Sequence, residues 1–405
     1  MTVSLPIFLK RRIRTAAAVS AVACALLLSA CTTTDTVRRP AAEPVSVRLA
    51  GVSFTGNYAD RKLNYPHCLS LAKNGALDRA FAEELARHRY ENVVLKTDLG
   101  STNKSADAVA VSLGINLETI STSRVADVGW KTVADIYAEL FFFDFDTKKI
   151  IMTLPVNMQY ITVSLAKPDK AAEKAMFENM IYGRGDVKKS LLQIAAEKLA
   201  SAEVRQQYGA RFKVESVTTG EKAARELKSL GIRTQQFETA AAQMLTRSLV
   251  DRLHAAVVPY TKGEAIGAKM PARFANGDAF MFELPNADYA FRLNVKKFLA
   301  KKDETGPVDV DAYYVFLNLL FEQPDLGKVY LDRNFAASAT ATLAKGQINN
   351  LSAAYPETLF NFFEGFAQNL ADPDADWVKA VVHPDNVDRT LEQLREIRDL
   401  IESKR

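Results

Sequence analysis

The chain has 405 residues, of which 48% are hydrophobic and 25% charged, enough apolar material for two domain-sized cores. Its formal charge of +4 comes from 52 basic and 48 acidic residues, and residues 1–30 hold four of the basic residues and no acidic one. The rest of the chain is therefore neutral, which excludes an argument from net charge for binding nucleic acid.

The amino terminus has the pattern of a secretory signal peptide. Four basic residues between positions 10 and 14 precede an apolar run at 16–28, which is shorter than the roughly 20 residues of a membrane-spanning helix. Small residues follow, up to Ala30, and Cys31 comes next. We therefore predict that residues 1–30 are removed by cleavage between Ala30 and Cys31.

The segment Leu28-Ser29-Ala30-Cys31 resembles the lipobox of bacterial lipoproteins. In that family the cysteine thiol receives a diacylglycerol group, and the new amino terminus is acylated after cleavage. The resemblance implies a firm membrane anchor on Cys31, since two or more acyl chains hold a protein stably. Thr32 in place of aspartate implies sorting to the outer membrane, facing the periplasm. An ordinary signal peptide with an incidental cysteine is the alternative.

Residues 31–46 are polar, contain two prolines and have no hydrophobic period, so they predict a flexible lipidated tether. The cysteines fit the same scheme. Cys24 would leave with the signal peptide and Cys31 would carry lipid, so only Cys68 remains and no intramolecular disulfide can form. The fold must therefore depend on its apolar core.

The apolar pattern of residues 47–206 predicts a first α/β domain, in which alternation indicates strands and a 3.6-residue period indicates helices. The predicted strands are 45–54, 92–97, 106–120 and two long strands within 134–165 around the turn at 146–149. The predicted helices are 74–90 and 188–204.

Residues 210–382 repeat this order and predict a second α/β domain. Its predicted strands are 211–219, 255–261, 287–300 and a hairpin within 311–343, and its predicted helices are 237–254 and 356–371. An internal duplication is indicated by similar residues at similar separations: Val52 and Val217, Val93 and Val257, Asp146 and Asp325, Leu191 and Leu359. Chance similarity between two ordinary α/β halves is the alternative.

This order of elements resembles the small α/β unit of the curli-secretion lipoprotein CsgG and of the TolB amino-terminal domain. The resemblance lies in VSVRLAGVSF, in the helix RAFAEELARHRY before NVVL, and in the hairpin ELFFFDFDTKKIIMTLPV. It implies a binding or assembly module of the cell envelope, without catalytic residues.

Residues 385–405 predict a carboxy-terminal helix that Asp385 or Asn386 caps. The predicted fold class is therefore α+β, with two similar mixed-sheet domains and this helix. One apolar stripe runs along it: Val387, Leu391, Leu394, Ile397 and Ile401. We expect the stripe to pack on the second domain, because surface helices usually do so. A partner helix or a dimer contact is the alternative.

Two acidic clusters are candidates for metal or acid–base chemistry. The segment 372–377 places aspartates at positions 1, 3 and 5 of a calcium loop, but the required glycine and glutamate are absent. Asp144 and Asp146 share one face of a strand, although Asp146, followed by Thr147, is more simply interpreted as a turn-forming residue. We predict no metal site and no cofactor.

Nucleophile and zinc patterns are equally weak. The histidines at 67, 88, 254 and 383 have no zinc-ligand spacing, and the segment 182–190 lacks the spacing of a phosphate-binding loop. His67 and Cys68 are adjacent, but chain neighbours rarely point at each other, so we predict that Cys68 is a structural thiol. Two aromatic clusters are predicted to be core: Phe141, Phe143 and Phe145, and Leu359, Phe363, Phe366 and Leu370.

The sequence thus favours a non-enzymatic lipoprotein of the outer membrane that binds envelope proteins of a secretion, surface-appendage or cell-wall machinery. A periplasmic hydrolase of cell wall or polysaccharide is one alternative, and it would need two carboxylates or a histidine–carboxylate pair in a pocket. A small ligand between the two domains is another. The sequence leaves the oligomeric state open.

Overall fold

The structure is a computed structural model, and it describes residues 44–56, 58–97, 109–125, 129–204, 210–261, 269–304, 306, 308–343, 345 and 350–404. The fold is α+β with two mixed sheets and a carboxy-terminal helix, which confirms the predicted class. None of the helices in these ranges is long and apolar enough to cross a membrane. The predicted signal peptide, Cys31 and most of the tether lie outside the described residues.

The strands are β1 (Val45–Thr55), β2 (Val93–Lys96), β3 (Val109–Val125), β4 (Gly129–Asp144), β5 (Ile150–Pro155), β6 (Met158–Ser164), β7 (Phe212–Thr219), β8 (Val257–Val258), β9 (Lys269–Phe274), β10 (Ala279–Glu283), β11 (Tyr289–Asp303), β12 (Asp309–Gln323) and β13 (Lys328–Leu343). The helices are α1 (Arg61–Asn64), α2 (Pro66–Leu71), α3 (Ala76–Leu85), α4 (Lys170–Tyr182), α5 (Leu191–Ala200), α6 (Glu221–Ser229), α7 (Thr234–Leu253), α8 (Leu351–Ala371), α9 (Ala375–Val381) and α10 (Val387–Ser403).

The first sheet contains β1–β6 together with β9 and β10. Strand β1 pairs in parallel with β2 and β3, β3 pairs antiparallel with β4, and β4 pairs antiparallel with both β5 and β6. The sequence predicted one long strand after the turn at 146–149. The structure has two, β5 and β6, because the chain leaves the strand pairing between Pro155 and Met158.

The second sheet has the order β13-β12-β11-β7-β8. Strand β7 pairs in parallel with β8 and β11, while β11, β12 and β13 form an antiparallel series. The described pairings therefore repeat those of the first sheet, with β7, β8, β11, β12 and β13 in the places of β1, β2, β3, β4 and β5.

The two sheets also place their β-bulges at corresponding points of the ladder. A bulge adds one unpaired residue to a strand and increases its local twist. The bulged residues are Ala50 and Glu215, Asn116 and Lys296, and Ile151 and Tyr330. Pairing register makes Val52 correspond to Val217 as expected, whereas Val257 corresponds to Leu95 rather than Val93. An origin by duplication stays a prediction.

Helix α7 lies between the two sheets. Ala241, Leu245 and Leu249 on one side of the helix belong to the core of the second sheet. On its other side, Ala240 and Met244 pack against Leu117 and Tyr137 of the first sheet. Helices α2–α5 contribute to the core on the opposite face of the first sheet, and α8 packs beside α7 on the second.

The sequence did not predict the hairpin of β9 and β10. It falls within residues 210–382, yet β9 pairs with β1 of the first sheet. Its side chains Met270 and Phe282 cover Phe141 and Phe143, which are buried as predicted. Phe145 is 44% exposed, so its assignment to the core was wrong. Strand β4 ends at Asp144, and Phe145 begins the turn.

The carboxy-terminal helix packs on the protein's own core. Leu391, Leu394, Ile397 and Ile401 are buried in the cluster of the second sheet, and Val387 packs against that cluster. Asn386 occupies the cap position without a side-chain hydrogen bond. The helical stripe of Leu359, Phe363, Phe366 and Leu370 is also fully buried, as predicted.

Candidate functional site

The acidic pair after β4 forms a turn. Asp144 Oδ1 accepts hydrogen bonds from the backbone amides of Asp146 and Thr147 and from Thr147 Oγ1, at 2.8–3.1 Å. These bonds lower the pKa of Asp144, chiefly through the Thr147 amide. The turn interpretation is therefore correct, with Asp144 rather than Asp146 as the accepting residue.

The residue that sequence reasoning missed near Cys68 is Glu118. Its carboxylate, 3% exposed, accepts bonds from the backbone amides of His67 and Cys68 at 2.8 and 2.9 Å, and it lies 2.7 Å from His67 Nδ1. The His67 ring stacks on Phe177, with centroids 4.9 Å apart. The Glu118 bond is the main cause that raises the pKa of His67.

This histidine–carboxylate pair caps a helix. The two backbone amides that donate hydrogen bonds to Glu118 lie in the first turn of α2. Amides there have no partner within the helix, and a negative charge near them is stabilising. Glu118 Oε1 accepts from the His67 amide and Oε2 from the Cys68 amide, so both carboxylate oxygens hold this turn in place. Cys68 is fully buried, and burial is the main cause that raises its thiol pKa, which opposes a role as nucleophile.

The aspartate cluster at 372–377 also has a local role. Asp374 caps α9 by accepting a bond from the Asp376 amide at 3.0 Å. Within the described ranges no group of three or more histidine, cysteine or acidic side chains is arranged to hold a metal ion. Ala30 and Cys31, the predicted cleavage and lipidation residues, lie outside these ranges.

The outward face of the second sheet is the surface with the features of a binding site. It carries Lys296, Lys297 and Lys301 from β11 and Tyr314 and Phe316 from β12, and we call these five residues the lysine–aromatic face. The lysines are exposed and the two rings are half-buried. Neither ring packs against any of the core clusters of the described residues.

The bulge in β11 explains why two successive lysines share this face. Val295 pairs with Leu317 and Lys297 pairs with Phe316, so Lys296 is the extra residue. Its Nζ donates to Asn334 Oδ1 on β13 at 2.7 Å, which places it on the same outward side as Lys297.

The positive charge of this face is not neutralised locally. Lys297 Nζ lies 5.7 Å from the Phe316 ring centroid, and Lys301 Nζ lies 5.8 Å from that of Tyr314. Among the described residues neither ammonium group has a hydrogen-bond or ion-pair partner, whereas nearby Arg292 pairs with Glu215 and Glu322 at 2.7 and 3.0 Å. An acidic partner would therefore find unpaired cations here.

A sequence signal for this face exists in β12. Between Ala312 and Leu320 every residue except Asn318 is apolar or aromatic, although alternate residues point to opposite faces. Such near-continuous apolar strands are typical of sheets covered on both faces. The inner residues of β12 lie in the core, and no helix in the described part of the chain covers the outer ones.

Comparisons with known proteins give no assignment. No family model matches the chain, and none of the curated proteins matches it. Among solved structures, a neuraminyllactose-binding hemagglutinin homolog from Helicobacter pylori is similar over 48% of this chain and 88% of its own, at 10% identity and a TM-score of 0.24. A likeness at that level carries no argument about the fold or the function of this chain.

Proposed function

We propose that this protein is a non-enzymatic lipoprotein, anchored through Cys31 in the outer membrane, which binds an acidic surface of a cell-envelope protein with its lysine–aromatic face. The anchoring rests on the lipobox-like segment before Cys31. The binding rests on the uncovered apolar side chains of β12 and on the unpaired lysines beside them. Secretion, surface-appendage and cell-wall machineries are the classes of partner that this location offers.

The single observation that carries the proposal is the outward row of β12. Tyr314 and Phe316 lie side by side with ring centroids 6.3 Å apart, and each is flanked by an exposed lysine. Aromatic side chains dominate the energetics of protein interfaces, and charges at the rim of such a patch increase the rate and the specificity of binding. A face of this composition is therefore better suited to contact with a protein partner than to exposure to solvent.

The binding claim is tested by crosslinking in intact cells, followed by purification from membranes. The double variant Lys297→Glu and Lys301→Glu reverses two exposed charges without touching the core. Lys170→Glu with Lys188→Glu is the matched control, because both lysines are exposed, one at the start of α4 and the other between α4 and α5, and α4 contacts α2 and α5 beside the first sheet. We expect the first pair to reduce the crosslinked partner at least tenfold and the control pair to leave it unchanged. Equal recovery from both pairs would contradict the proposal.

The anchoring claim has its own test. Cys31→Ser removes the thiol that lipidation requires, so the protein should move from the membrane fraction to the soluble periplasmic fraction. An unchanged membrane partition would exclude lipid anchoring at Cys31.

A further inference from the structure

We infer that the segment bound by the lysine–aromatic face is an acidic amphipathic helix of the partner, which lies along the outer row of β12 at the place where α7 packs on Leu117 and Tyr137 of the first sheet. The inference rests on the proposed function and specifies the class of ligand for the same face. It comes from a comparison of the two sheets within this one chain.

Pairing register relates the two outward faces residue by residue. Leu117 pairs with Tyr137 in the first sheet, directly after the bulge at Asn116. Lys297 pairs with Phe316 in the second sheet, directly after the bulge at Lys296. The lysine–aromatic face therefore occupies the same place on its sheet as the Leu117–Tyr137 surface does on the first.

In the first sheet that place is a helix-docking surface. Leu117 and Tyr137 are 1% and 5% exposed, and they share a cluster with Ala240 of α7, against which Met244 also packs. Helix α7 contacts the sheet through the small side chain of Ala240 and the flexible side chain of Met244, which lie one helical turn apart. Pairing register and bulge position correspond in the second sheet, so a helix of this kind can pack at the same place there.

The charge on the second face determines what that helix must carry. The corresponding positions of the first sheet hold Asn116, Leu117 and Ser121, all neutral, whereas the second sheet has Lys296, Lys297 and Lys301. Lys296 already donates to Asn334. Covering the Lys297 and Lys301 ammonium groups with an uncharged helix, however, would remove them from water without compensation. Glutamates or aspartates on both sides of a small-residue stripe would satisfy them. No described helix of this chain supplies such a surface to this face.

The test places a photo-crosslinking amino acid, p-benzoylphenylalanine, at Tyr314 in one variant and at Leu320 in another, within the full-length protein in intact cells. Both side chains point outward from β12, and six residues of strand separate them by about 20 Å. A helix rises 1.5 Å per residue, so a helix along the strand spans that distance with about 13 residues. An extended segment spans it with about six.

We expect mass spectrometry to find the two attachment points in one acidic segment of one partner, more than ten residues apart. Attachment points about six residues apart would overturn the helix inference while leaving the proposed binding function intact. Capture of nucleic acid, or of a second copy of this chain, would overturn it as well. Equal crosslinking by the double lysine variant would instead contradict the proposed function itself, so the two failures are distinguishable.

Discussion

Glu139 is a buried carboxylate whose neutralisation should stabilise the protein. It is 1% exposed on β4, and its Oε1 accepts one hydrogen bond from Asn116 Nδ2 at 3.0 Å. Burial raises its pKa from 4.5 to about 7. Asn116 Oδ1 is also buried and has no hydrogen-bond partner among the described residues, so an amide at position 139 would bring a donor to this site.

The sign of the pH dependence follows from proton binding. Between pH 4.5 and about 7 the folded protein holds the Glu139 proton and the unfolded chain has lost it, so stability falls as the pH rises through this window. Above pH 7 the ionised group costs about 3 kcal/mol, and at pH 5 the cost is below about 1 kcal/mol. Glu139→Gln should therefore raise the free energy of unfolding by about 1–3 kcal/mol at pH 8 and by little at pH 5.

Urea denaturation of both proteins at pH 5 and pH 8 measures this difference. Glu357→Gln is the control, because Glu357 is exposed on α8 and the same change should alter stability by less than about 0.5 kcal/mol at either pH. A gain for Glu139→Gln that is equal at the two pH values would refute the link to ionisation. A loss at pH 8 would refute the assignment of Glu139 as a buried destabilising charge.

Three further changes test the described packing. His67→Gln should reduce the difference in protein stability between pH 5.5 and pH 8. The raised pKa of His67 contributes stability below pH 6.5, and this contribution is lost as the pH rises through the pKa of His67 in the folded protein. An unchanged difference in melting temperature between the two pH values would count against the Glu118 bond. Gly51→Ala should lower the free energy of unfolding by about 2–4 kcal/mol in denaturant titration, because the φ of Gly51 is +93° and a Cβ would lie 2.5 Å from Asp78 Oδ1. In the control Gly56→Ala the added Cβ meets no atom within 4 Å, so the loss should be smaller. Leu394→Ala should cost about 2–5 kcal/mol, since Leu394 is fully buried; a cost below 1 kcal/mol would favour a helix that serves a partner instead.

Local pattern was enough to predict most strands and helices. The strands β1, β3, β4, β7, β11 and β12 have clear alternation or β-branched residues, and α10 has an uninterrupted apolar stripe. Long periodic segments are predictable because each residue's contribution to the buried face repeats along the element. The turn after Asp144 was also predictable, since short polar side chains bond their neighbouring amides.

Contacts between distant parts of the chain were not predictable in this way. The hairpin of β9 and β10 is short, and only the whole fold determines that it joins the first sheet. Glu118 lies 51 residues after His67, and nothing in either local pattern connects them. The lysine–aromatic face depends on the bulge at Lys296, which changes the side of the sheet on which each later residue lies. The apolar side chains on the outer side of β12 were visible in the sequence, but a search for apolar–polar alternation alone does not detect them.

We expect the lysine–aromatic face, and no other exposed aromatic surface, to bind the envelope partner. Photo-crosslinking in intact cells from Phe316 tests it directly against the same probe at Phe145, which is 44% exposed on the turn after β4. We expect a crosslinked envelope protein from Phe316 and none from Phe145. Equal capture of the same protein from both positions, or capture from Phe145 alone, would contradict it.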